Sequence, residues 1–151
     1  MYKELKNIKV PTTIMTNSAE NNGNIFGAVD YLNHKKDIIN TGVTIKEYEG
    51  GISYHGKSMT IDDDIAIVGS FNMDMRSAYI DTELMLVINS KDINKQLKAS
   101  MEEYEKKAAT VKNETEYSHI PEGMKMKELS DKKKNIKAWF GWAMNGLRFL
   151  F

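Results

Sequence analysis

Hydrophobic and polar positions alternate with two different periods along this chain, and the switches between them mark out its elements. Residues 12–16 form a short β-branched run that stops at Asn17-Ser18, which predicts a strand followed by the polar loop 18–24. Over residues 25–40 the apolar positions Ile25, Val29, Leu32, Ile38 and Ile39 fit a helical stripe, and Gly42 is placed to close it. Residues 43–48 return to a strand pattern. A strand, a helix and a strand in succession predict a right-handed parallel crossover. The expected fold class is therefore α/β, a mixed β-sheet flanked by helices on both faces.

Two further strands, residues 59–62 and 65–69, bracket a carboxylate cluster that reads as a hairpin turn. After a polar turn over 72–78, in which Arg76 is aimed back toward the hairpin, residues 79–88 form the next strand. Its apolar run Leu84 to Ile88 is the pattern of a centrally buried strand. Ser90 can cap a helix over 91–109, with Ile93, Leu97, Met101, Tyr104 and Ala108 on one stripe. Residues 1–9 read as a loose start. The expected organisation is one domain over 1–109, a polar linker over 110–130 containing Pro121 and Gly123, and a C-terminal helix over 131–151.

Composition changes this picture only modestly. With 151 residues and 41% hydrophobic content, one real core is within reach. The 21 basic and 21 acidic side chains cancel, so no global basic field announces a nucleic-acid partner. The absence of cysteine removes disulfides and thiolate metal sites and fits a reducing compartment. The first residues hold no apolar run resembling a signal peptide, and no apolar stretch reaches the ~18–20 residues of a membrane span. A soluble body is expected.

The chemistry concentrates in residues 54–72. In a strand, residues two apart share a face, so His55 and Lys57 project together, about 6–7 Å apart, a distance that suits one phosphate. If the hairpin loop is Asp63-Asp64, then Asp62 faces Ile65, Lys57 faces Ser70 and His55 faces Asn72, and the polar groups share one face. A slip of one residue sends Ser70 and Asn72 to the other. The consecutive carboxylates Asp62, Asp63 and Asp64 do not converge readily on one cation, and no metal site or cofactor is expected. His34 among polar helix neighbours and His119 in the linker both read as surface histidines.

His55-x-Lys57, four residues, Asp62, six residues, then Gly69-Ser70-x-Asn72 resembles the HKD signature of the phospholipase D superfamily. Thr16-Asn17-Ser18, Gly42-Val43 and Asn72 through Ser77 are similar to stretches around the second such motif of bacterial phospholipase D-like and cardiolipin synthase-like enzymes. The resemblance spans residues 10–105. It implies one half of a phospholipase D-like fold with catalytic His55, Lys57, Asp62 and Glu83. Lys57, Ser70 and Asn72 would bind the substrate phosphate. In that family a carboxylate in the position of Glu83 accepts a hydrogen bond from the nucleophilic histidine, and the residue matching Asp62 is structural. The intermediate is a phosphohistidine.

Such enzymes join two motifs at one site, and this chain carries one. Three arrangements follow: the C-terminal half of a lipid-acting enzyme, a single-motif phosphodiesterase or endonuclease pairing two copies, or a silent partner-binding half. The tail, Lys132, Lys133, Lys134 and Lys137 followed by Trp139, Phe140 and Trp142, reads either as an interfacial helix or as a helix packed on protein. Together with the charge balance it favours a phospholipid over a nucleic acid. The expected location is cytoplasmic, peripheral on the membrane.

Overall fold

The computed structural model describes residues 2–147. Instead of a loose start, residues Tyr2–Asn7 form a short helix, α1. Strand β1 (Thr13–Asn17) leads through helix α2 (Ile25–Ile39) to the parallel strand β2 (Thr44–Tyr48), the crossover expected from the pattern. Asn24 starts α2 by accepting from the N–H groups of Phe26 and Gly27. Gly42 ends it with φ 89°, its N–H donating to the Ile39 carbonyl at 3.0 Å.

The α/β class with flanking helices holds, but the strands divide between two sheets rather than one. Strands β1 and β2 continue into the antiparallel β6 (Ala108–Val111) and β7 (Tyr117–His119), in the order β1-β2-β6-β7. Strands β3 (Ser58–Ile61), β4 (Ile65–Gly69) and β5 (Met85–Asn89) form a separate antiparallel sheet. Two local expectations are corrected with it. Helix α4 (Lys91–Glu105) stops before Ala108, and residues 110–130 supply sheet strands rather than only linker. Alanine is a strong helix former, but Ala108 and Ala109 are small enough to lie buried against β2, and pairing outweighs propensity.

Strand β5 is an edge strand, not a central one. Leu84 beside it is 80% exposed and Val87 is 61% exposed. A continuous apolar run signals burial on two faces only if both are covered. Here α4 lies against the sheet and Ala66 is wholly buried, while Met59 and Val87 on the other face stand open.

Helices α2 and α4 flank the first sheet. On one face the buried Glu47 meets Lys35 of α2 at 2.8 Å and accepts from the Tyr31 hydroxyl at 2.6 Å and from Tyr117. Burial, with that carboxylate opposite, pushes both phenols above their usual range and keeps them donors. On the other face Lys46 pairs with Glu105 of α4, and the Tyr48 and Tyr104 rings meet edge to face. Asn94, 1% exposed, takes the inward position on α4 that Ile93 was expected to hold, because its amide donates to the Ile65 carbonyl at 2.6 Å. Helix α5 (Asp131–Leu147) packs on α2, with Asn33 donating to the Gly141 carbonyl at 3.0 Å.

Candidate active site

The motif hairpin folds with a register one residue away from the one expected. Ser58 faces Val68 and Ile61 faces Ile65, so the loop is Asp62-Asp63-Asp64 rather than two residues. Asp62 takes the left-handed conformation at φ 48°, which a short polar side chain tolerates. Lys98 of α4 ties the loop, bonding the Asp62 carbonyl and the Asp63 carboxylate, the latter at 2.7 Å, and holds the Asp63 carboxyl below the usual range. Pairing Ile61 with Ile65 replaces the less favourable pairing of a carboxylate with Ile65.

Lys57 consequently lies opposite Gly69, whose N–H donates to the Lys57 carbonyl at 3.1 Å. In strict alternation this register puts Ser70 on the other face from Lys57, so the shared-face geometry is not what assembles the residues. The ladder between β3 and β4 ends at this point, and Glu83 connects the groups instead. The Ser70 hydroxyl donates to the Glu83 carboxylate and accepts the Leu84 N–H at 3.0 Å. The hydroxyls of Ser70 and Ser77, then the charge of Lys57, hold the Glu83 carboxyl below its ordinary range.

His55 stands exposed just before β3, with Lys57 Nζ 2.7 Å from its Nε2. An ammonium only donates, so the imidazole facing it accepts at Nε2 and carries its proton on Nδ1. Glu83, expected to receive that proton's hydrogen bond, is bonded to Ser70 instead; among the described residues no hydrogen bond joins it to His55. The Asn72 N–H donates to the Ser77 hydroxyl at 3.2 Å.

Two neighbours of the motif escaped the sequence. Ser77 lies on α3 (Met75–Tyr79), where a tight turn was expected, and α3 is capped by Asp74 accepting from the Ser77 N–H at 2.7 Å. Asp74, an N-cap residue type just before Met75, is a signal that could have located it. Arg76, expected to aim at the site, pairs with Asp81 at 2.9 Å. The second neighbour is the buried carboxamide pair Asn17 and Asn21. Asn17 bonds both backbone groups of Tyr54, immediately before His55.

The remaining histidines take other roles. His34 is half-buried between Asp30 and Asp37, each 3.5 Å away, rather than freely solvated. His119 is exposed, as expected, although it sits on β7. Among the described residues no group of three or more His, Cys, Asp or Glu is arranged to hold a metal ion.

An imidazole and an ammonium leading into the β3-β4 hairpin, and a carboxylate before β5 bonded to the hydroxyl that follows the hairpin, are set on the α/β framework of a phospholipase D-like domain. Residues 2–104 match the family model described as cardiolipin synthase, PLD-like domain, and the chain belongs to that family. It is 35% identical over 68 residues to a cardiolipin synthase A of Wigglesworthia glossinidia brevipalpis and 33% identical over 78 residues to one of Yersinia pseudotuberculosis. Those matches cover 45% and 52% of this chain but 14% and 16% of the relatives' own length. Among solved structures, a phospholipase D family member, Nuc from Salmonella typhimurium, aligns over 73% of this chain and 87% of its own, at 14% identity and a TM-score of 0.48.

Proposed function

We propose that this chain contributes one half of an active site that cleaves or transfers phosphodiesters through a phosphohistidine, with phosphatidyl lipid as substrate. The observation that carries it is the contact between His55 Nε2 and Lys57, in a family domain that holds a single HKD motif. A phosphate oxygen entering between them takes over the Lys57 proton donor and frees the Nε2 lone pair. Nε2 then forms a bond to phosphorus while the bond from phosphorus to the leaving alcohol breaks. Lys57 and the Asn72 side chain, joined by the Ser70 hydroxyl once its proton turns from Glu83 to the phosphate, offset charge on the non-bridging oxygens, and Glu83 steadies the positive field around them. Asp62 shapes the hairpin. The leaving oxygen needs a proton from an acid this motif lacks, which a second HKD half supplies. Water or an alcohol then attacks phosphorus, the N–P bond breaks, and the attacking group returns a proton to the group of the second half that gave one up in the first step.

Lipid fits the exposed flank of α5. Lys132, Lys134, Lys137, Trp139 and Phe140 face outward, and Trp139 is 82% exposed, so this helix packs on α2 while offering cations and aromatic rings to an anionic surface. Among the described residues no helix is long and apolar enough to cross a membrane. The location proposed is peripheral, on the cytoplasmic side. A second arrangement, two copies of this chain forming the site, is favoured by the open face of the β3-β4-β5 sheet bearing Met59, Ile61 and Val87.

The test is a parallel assay of fluorescent phosphatidylglycerol in vesicles and of single-stranded DNA, with solution mass measured and label trapped on protein. With a partner half bearing the second HKD motif added, lipid turnover with acid-labile label on His55, lost in His55→Gln, is the expected result, and the chain alone as a monomer should be inactive. A dimer that cuts DNA and ignores lipid replaces it with the second arrangement. Full turnover by a strict monomer overturns the need for a partner half.

A further inference from the structure

We propose that Asn17, braced by Asn21, is a positioning residue for His55: its carboxamide fixes the backbone of Tyr54 and thereby sets where the imidazole stands. The proposal rests on the assignment of His55 as nucleophile.

Residues 49–57 have no regular structure, yet they carry an exposed histidine that must meet a phosphorus atom within a fraction of an ångström. Side chains hold this segment in place of a ladder. Asn17 accepts the Tyr54 N–H at 2.8 Å and donates to the Tyr54 carbonyl at 2.7 Å, reproducing one antiparallel rung from the end of β1. Asn21 accepts the Gly51 N–H at 3.0 Å and donates to the Ile52 carbonyl at 3.3 Å and to Asn17 at 3.2 Å. Both asparagines are buried, so their amides are committed to these bonds. The Tyr54 ring leans on Tyr104 with centroids 4.3 Å apart, a further anchor on the residue before His55.

The far side of the loop is also held. Lys133 of α5, itself buried, donates to the carbonyls of Ala19 at 2.8 Å and Asn22 at 3.0 Å and to that of Glu20. The loop is thus fixed between α5 and the His55 segment. A plain connection would not need two buried amides aimed at one backbone stretch.

The experiment measures the rate of diethylpyrocarbonate modification at His55 by mass spectrometry, with His119 in the same molecule as internal reference, in Asn17→Ala, Asn17→Asp and Asn21→Ala. Loss of one or two backbone hydrogen bonds should change the ratio of His55 to His119 rates by about two- to tenfold. Asn17→Asp keeps the acceptor for the Tyr54 N–H but sets a carboxylate oxygen against the Tyr54 carbonyl, so its ratio should stay shifted as in Asn17→Ala. A role confined to stability lowers the melting midpoint and leaves that ratio at the wild-type value in the folded variants, and this result overturns the proposal. Should Asn17→Ala not fold, the ratio in Asn21→Ala decides in the same way. Because the readout needs no turnover, failure of the lipid and DNA assays bears on the catalytic assignment and not on this one.

Discussion

Gly69 shows how much of the site depends on one missing methyl group. A Cβ there would lie 2.2 Å from the Leu84 carbonyl oxygen and 2.9 Å from the Met85 Cα, both backbone atoms of the neighbouring strand. Gly69→Ala should cost about 1–3 kcal/mol by overpacking, read as a lower melting midpoint, and should lower phosphodiester turnover by pushing Ser70 away from Glu83. Retention of both at wild-type level rejects that account. At Glu47, 2% exposed, the ion pair with Lys35 matters for a different reason. Lys35→Met leaves the carboxylate buried with only two phenol donors, a loss of about 3–5 kcal/mol and roughly 6–20 °C in melting midpoint. Adding Glu47→Gln should recover part of it, because a carboxamide oxygen still accepts from the tyrosines.

Among elements, α5 depends on its first turn. Glu20 accepts the Ser130 N–H at 2.9 Å and lies 3.8 Å from Lys133, and the Ser130 bond above all holds the Glu20 carboxyl below its ordinary value of 4.5. A carboxyl lowered in the folded state contributes stability that is whole above pH 4.5 and is lost as pH falls through the lowered value. Glu20→Gln should therefore melt earlier than wild type at neutral pH, with the gap closing as the pH drops below that value. A gap that stays constant with pH argues against this charge as the latch. The motif hairpin differs in that its order comes from α4: Lys98 holds the turn and Asn94 the Ile65 carbonyl. Asn94→Ala, which removes that bond and leaves a void where a buried carboxamide stood, should cost about 1–3 kcal/mol.

For the whole molecule, the succession α5, α2, first sheet, α4, second sheet leaves the outermost sheet face open and the outer flank of α5 polar and aromatic. Replacing Lys132, Lys134 and Lys137 with Gln should weaken binding to anionic vesicles by about 1 kcal/mol per charge while leaving the folding stability within about 0.5 kcal/mol of wild type. Vesicle co-sedimentation at two salt concentrations checks it. Binding that neither falls with the charges nor weakens with salt would remove the membrane role of this helix.

The sequence alone determined what is local: the β1-α2-β2 crossover, the capping of α2 and α4, and a hairpin bearing His55, Lys57 and Ser70, because periodicity and fixed spacing act over a few residues. Only the tertiary structure decided what depends on distant partners. One three-residue loop moved the register, Ala108 and Ala109 left their helix for β2, and Leu84 to Ile88 lost the cover their apolarity implied. Glu83 turned to Ser70 instead of His55 for the same reason. A hydrogen bond is chosen among all groups the fold brings within reach, and local spacing cannot rank partners whose distance is set by how helices and sheets stack.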